Sequence, residues 1–144
     1  MLAQKFNLVH ISTGDLLRRE MKEKTELGRI VKPFIDQGEL VPDEYVIRII
    51  EKQIAHNPKA SGFLFDGFPI NIVQAYILDG MLKKMGTTLS SMIALQVRTL
   101  ECIRRLKERG ATRQARTYDS TTEIIIKRLE QYESKAAKLD EYYK

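Results

Sequence analysis

Two acids and a run of arginines are the residues of this chain best suited to chemistry. Asp66 ends the apolar run Phe63-Leu64-Phe65 and leads into Gly67-Phe68-Pro69. Asp15 stands after the stretch NLVHIS (7–12), with Thr13 and Gly14 between. Acid, glycine and proline at the end of a buried strand form a turn suited to receiving a ligand. Two carboxylates at neighbouring strand ends can hold the water shell of a Mg²⁺ ion. Arginine occurs six times from 104 to 128, as Arg104, Arg105, Arg109, Arg113, Arg116 and Arg128, around a loop rich in Gly, Ala and Thr. Its planar fork suits phosphate oxygens. These residue types together suit a phosphorylated ligand and its counter-ion. Each also has a plainer use: Asp15 as a helix-cap acid, Asp66 as a turn acid, any one arginine as part of a basic helix face.

The elements that must position them follow from periodicity and caps. NLVHIS (7–12) reads as a buried strand, and Ser12 as the cap of a helix with Asp15 as its capping-box acid. Thr25 caps a second helix through ELGRIVKPFIDQ, which Gly38 ends. Asp43 after Pro42 opens a third, with Val46, Ile49, Ile50 and Ile54 on one face. GFLFD (62–66) is a second strand, and Asn71 caps a helix running to Gly86. SMIALQV (91–97) is expected as a third strand. Thr99 caps LECIRRLKER, which stops at Gly110 and carries Cys102 as a packing residue. Ser120 and Glu123 form a capping box for a long helix to the C-terminus. Strands alternating with helices predict an α/β fold with a parallel sheet, whose ligands collect beyond the carboxyl ends of the strands. Ser12 to Asp15 and Asp66 to Pro69 both fall at that edge, with the arginines near the end of the helix after strand three.

Composition sets the frame. At 144 residues, with 43% apolar and 30% charged, the chain fits one globular domain with a real core. A net charge of +5 and a pI near 9.3 favour anionic ligands. Nucleic-acid binding rests on that charge alone, since no aromatic-rich basic surface or recognised module accompanies it. A single cysteine excludes an internal disulfide and points to a reducing, cytoplasmic setting. No apolar run approaches a membrane span, and no signal peptide is visible.

Five stretches, in order, resemble the nucleoside monophosphate kinases, and the adenylate kinase family most closely. HISTGDLLRRE (10–20), IDQGELVPDEYV (35–46) and FLFDGFP (63–69) with Gln74 are similar to that family's three AMP-site segments. CIRRLKERG (102–110) resembles the start of its lid, and KRLEQYESKAAKLDEYY (127–143) its penultimate helix. The resemblance implies a parallel-sheet phosphate-loop fold in one domain (1–144), with a monophosphate-binding helical segment at 13–42 and a short lid at 105–128. It also implies roles. Thr13 and Gln74 would meet the adenine of AMP, and main-chain groups of Glu39, Leu40 and Val41, with Gly67, would line that pocket. Leu17 and Ile35 would form its apolar wall, and Arg18 would grip the AMP phosphate. Asp15 and Asp66 would organise a hydrated Mg²⁺. Arg105 would lie over the ATP base and Arg109 on its phosphates. Arg128 would neutralise the transferred phosphoryl group, and Arg116 and Asp119 would be the lid's arginine and acid, at a spacing one residue too long. The reaction implied is ATP plus AMP to two ADP, which relies on positioning and charge neutralisation. Pro69-Ile70-Asn71 resembles the matching triplet of pyrimidine monophosphate kinases, while Thr13 and Gln74 favour adenine.

Three departures bear on activity. No glycine of the 144 residues is followed by lysine, so the phosphate loop G-x-x-x-x-G-K-[ST] is absent from them. The family's first, central strand and its loop would precede residue 1, where MLAQKF resembles the tail of the helix after the loop, Leu2 and Phe6 sharing a face. The strands at 7–12 and 91–97 would then flank a gap, and a last strand and helix would follow DEYYK. Ile70 stands where the family has an arginine on the AMP phosphate, a contact that contributes about 1.5–3 kcal/mol, or about 10- to 150-fold in binding. The expectation is therefore a kinase-like domain that is inactive or strongly impaired by itself. The alternatives are an active kinase completed by a partner chain or an N-terminal region, and a non-catalytic nucleotide-binding or structural part of a larger assembly.

Overall fold

Residues rich in β-branched and aromatic side chains form the strands, as expected of a pleated, half-buried surface. The computed structural model describes residues 2–136 and 138–143. Strands β1 (Val9–Ser12) and β2 (Phe63–Asp66) pair in parallel with Val9 opposite Phe63 and Ser12 opposite Asp66. That register brings both carboxyl ends, and so the segments that follow them, side by side.

After the short helix α1 (Leu2–Lys5), α2 (Thr13–Lys22) leaves β1 directly, and α3 (Glu26–Asp36) turns back against it. Thr25 caps α3 by accepting from the Gly28 amide at 3.0 Å. Gly28 is required there, since a Cβ would meet the Glu20 carbonyl oxygen at 2.1 Å. At the far end Gly38 has φ +71°, and a Cβ would meet Ile124 at 2.5 Å, so a left-handed turn and a close approach coincide.

Helix α4 (Asp43–His56) follows Pro42 and buries Val46, Ile49, Ile50 and Ile54. Helix α5 (Ile72–Lys84) starts at Asn71, whose side chain accepts from the Gln74 amide at 2.9 Å. The shared core runs from Ile11 and Leu17 through Val31, Ile35, Ile49 and Ile50 to Phe68, Leu78 and Leu82. Each such side chain contributes about 1.5–3 kcal/mol by leaving water. Helix α6 (Thr99–Gly110), a 3₁₀ turn (Thr117–Asp119), α7 (Thr122–Ala136) and α8 (Leu139–Tyr142) complete the described chain.

The α/β class and the parallel pairing are as expected, but several elements differ. Ser91–Val97 is not a strand, and every residue from 90 to 100 is exposed. A strand exists only through a hydrogen-bonded neighbour, and the described sheet holds only β1 and β2. The pair of strands expected to flank a gap is therefore not formed: β1 takes β2 as its direct neighbour. Ser12 holds the N-cap position of α2, but its side chain makes no capping bond. Arg98 precedes α6 in place of Thr99, whose hydroxyl instead reaches Glu133 at 3.3 Å. Thr121, not Ser120, accepts from the Ile124 amide at the start of α7. That helix ends at Ala136 short of the C-terminus; Ala137, within the expected long helix, and Met1 and Lys144, at the ends of MLAQKF and DEYYK, lie outside the described residues. Leu2 and Phe6 are both exposed. Among the described residues, no helix is long and apolar enough to cross a membrane.

Candidate functional site

The carboxyl ends of β1 and β2 open into a cavity of about 300 Å³. The segment after β1 supplies Ser12, Thr13, Gly14 and Asp15, and α2 adds Leu17 and Arg18 one and two positions past Leu16 on the same turn. The segment after β2 supplies Asp66, Gly67 and Ile70. Ile35 at the end of α3, the connection Glu39-Leu40-Val41 and Val46 of α4 close the apolar side. Arg116, which precedes the 3₁₀ turn, and Tyr118 within it, with Arg128 and Tyr132 from α7, complete the lining.

Three guanidinium groups, of Arg18, Arg116 and Arg128, thus meet two carboxylates and an apolar wall. Arg18 donates to Asp15, and that hydrogen bond holds the Asp15 carboxyl below its ordinary value. Arg128 lies over the Tyr118 ring at 4.3 Å and donates to the Glu39 carbonyl at 3.3 Å. Burial lowers the pKa of Arg128, yet a guanidinium stays charged, so this cation is poorly hydrated and suited to an anion. Arg116 donates to the Tyr118 hydroxyl at 2.8 Å. Thr13 is buried, and its hydroxyl has no hydrogen-bond partner. Leaving such a group unpaired costs about 1–3 kcal/mol.

Helix α7 is tied to the opposite side of the cavity. Lys127 pairs with Glu39 at 2.8 Å, and the Gln131 side chain accepts from the Leu40 amide at 3.1 Å. Outside the cavity, Asp119 is fully buried and receives both arms of Arg109 at 2.7 Å, together with the Arg116 amide at 3.1 Å. This forked bond raises the pKa of Arg109. The 3₁₀ turn therefore sets Arg116 facing the cavity while Arg109 is held behind it.

Of the residues singled out in the sequence, Thr13, Asp15, Leu17, Arg18, Ile35, Glu39, Leu40, Val41, Asp66, Gly67, Arg116 and Arg128 line this cavity. Gln74, Arg105 and Arg109 do not. Gln74 is fully buried, with its side-chain oxygen accepting from the Ile70 amide at 2.9 Å and its nitrogen donating to Asp43 at 2.7 Å. Arg105 is on the exposed face of α6, paired with Glu101 at 2.6 Å. Tyr118, Tyr132 and Val46 were not anticipated. Tyr118 had one legible signal, its place between Arg116 and Asp119.

For a divalent cation, Asp15 and Asp66 are the available carboxylates. Asp66 faces His10 at 3.7 Å and is largely exposed. Among the described residues no cluster of three His, Cys, Asp or Glu side chains forms a cage. That donor set fits an ion held through its water shell and by a ligand's phosphates.

The family model described as adenylate kinase matches residues 1–144. An adenylate kinase of Flavobacterium psychrophilum is 42% identical over 143 residues, covering 99% of this chain and 75% of that protein. One of Parabacteroides distasonis is 43% identical, covering 99% and 74%. One of Carboxydothermus hydrogenoformans is 38% identical over 167 aligned positions, covering 99% and 78%. Matched by that family model over residues 1–144 and by relatives near 40% identity along its length, the chain belongs to the adenylate kinase family.

Proposed function

We propose that the cavity is the acceptor site of a phosphotransferase and that it takes AMP. The observation that carries this reading is the meeting of Arg18, Arg116 and Arg128 in one cavity with the apolar wall of Leu17, Ile35 and Val41. In this reading the base lies against Leu17, Ile35 and Val41 with Thr13 and the main chain of 39–41 and Gly67 at its polar edge. The phosphate lies toward Arg18. Gln74 contributes by holding the Ile70 turn. Residues 13–42 form the monophosphate-binding segment and 105–128 a short lid, in a single domain.

The reaction in which such a site takes part moves one phosphoryl group. An oxygen of the AMP phosphate attacks the γ-phosphorus of ATP, the bond from that phosphorus to the β–γ bridging oxygen breaks, and two ADP result. Arg128 and Arg116 neutralise the group in flight, while Arg105 and Arg109 serve the donor's base and phosphates. Asp15 and Asp66 are the residues that would hold the water shell of Mg²⁺. The ion supplies charge neutralisation on the phosphates. A reducing, cytoplasmic setting accords with the single cysteine.

The amide cradle for the donor's triphosphate is not among these 144 residues. The chain by itself is therefore expected to bind AMP and to form no ADP from millimolar ATP and AMP above background. Calorimetry and a coupled assay check the two halves separately. Turnover at the family's level removes the impaired-catalysis reading, and absence of AMP binding removes the site. The retained arginines and carboxylates favour a second reading, an active kinase whose cradle comes from another polypeptide or region.

A further inference from the structure

Two walls of the cavity are bridged by a carboxylate that does not line it. Asp43, the first residue of α4, directly follows the Glu39–Val41 wall and Pro42. Its carboxylate accepts from Asn71 Nδ2 at 3.0 Å on each oxygen and from Gln74 Nε2 at 2.7 Å. Gln74 turns its other end to the Ile70 amide at 2.9 Å. The orientation of that side chain is forced, because a carboxylate needs a donor and an N–H needs an acceptor. The relay therefore runs from the start of α4, through a fully buried amide, to the backbone of the residue that closes the Asp66–Ile70 turn. Hydrogen bonds to an ionised acceptor are about twice as strong as neutral ones, and Asp43 gathers both Asn71 and Gln74 into its hold.

We infer that Asp43 is a positioning residue for the acceptor site: its carboxylate fixes the distance between the 39–41 wall and the Gly67–Ile70 turn, and thereby the fit of the nucleoside monophosphate between them. The inference rests on the acceptor-site reading above. It assigns Asp43 no contact with the ligand and no part in phosphoryl transfer.

The relay can be inverted without changing its shape. Asp43→Asn puts an NH₂ group in place of the oxygen that only Asn71 faces, so that two N–H groups oppose each other there. Asn71→Asp sets a second carboxylate against the first. Combined, the two changes restore a donor–acceptor pair between 43 and 71, the amide oxygen at 43 still accepts from Gln74, and an acid at 71 still caps α5. Each single change is expected to weaken AMP binding by roughly tenfold and the double variant to return within about threefold of the original, a coupling read from the cycle. Exchange of the Ile70 amide with D₂O, followed by NMR, is expected to speed up in each single variant and slow again in the double. Unchanged affinity and unchanged Ile70 exchange in Asp43→Asn overturn the inference. So does a double variant that melts like the original yet binds no better than the singles. Should either single variant fail to fold, the double variant alone decides, by folding and binding AMP or not. If the original chain binds no AMP while Ile70 exchange still follows Asp43, the acceptor-site reading falls and the Asp43 relay stands.

Discussion

At the scale of single residues, the cavity is defined as much by Ile70 as by its cations. Ile70 lines the cavity and presents no polar group to it, while Arg18 is shared with Asp15. Ile70→Arg is expected to tighten AMP binding about tenfold or more by adding a charged contact to the phosphate, as read by calorimetry; no change would show that the phosphate lies elsewhere. Tyr118 holds Arg116 and Arg128 close to each other: its ring receives Arg128 and its hydroxyl Arg116. The types of the site residues were legible in the sequence, because Thr, Asp and Arg at strand and helix ends carry their chemistry wherever they stand. Their partners were not. Nothing local distinguishes Arg109, locked onto Asp119, from Arg116, which faces the cavity.

At the scale of elements, the caps and stops were largely readable. Thr25, Gly38 and Asn71 act through bonds to amides three residues away or through a left-handed φ, which are interactions of neighbours in the chain. Ser12 and Ser120 show the limit: several hydroxyls compete at one helix start, and the packed geometry chooses. The C-terminal attachment was not legible. The Tyr142 hydroxyl donates to Asp79 at 2.6 Å, joining α8 to α5. That bond, with some desolvation, pushes the Tyr142 pKa up to about 12 from its ordinary value of 10.0. A raised folded-state value means that the contact's contribution is fully present below pH 10 and is lost as pH rises toward 12. Tyr142→Phe is expected to remove one tyrosinate transition from well above the ordinary value of 10.0 in the alkaline absorbance titration, and with it part of the loss in melting temperature there. Loss of a transition near the ordinary value of 10.0 instead would mean that the phenol is not held by Asp79.

At the scale of the whole molecule, the described sheet is two strands wide, and an apolar stretch including Ile93, Leu95 and Leu100 is exposed beside no strand partner. If the donor cradle is supplied from outside these residues, a peptide carrying a strand followed by G-x-x-x-x-G-K-[ST] should restore ADP formation from ATP and AMP when added to the chain. Continued inactivity at saturating peptide would sink the split-enzyme reading and leave the AMP-binding one. The α/β class, most helix positions, the buried face of α4 and the two segments that meet at the cavity were determined by the amino-acid sequence itself. They follow from periodicity, capping and turn chemistry, which act within a few residues. Only the tertiary structure decided that residues 91–97 stay unpaired, that Gln74 is spent on Asp43 and Ile70, and that three of the arginines converge where the others do not. Strand pairing and the meeting of side chains thirty or a hundred positions apart depend on which surfaces pack together, and no local pattern records that choice.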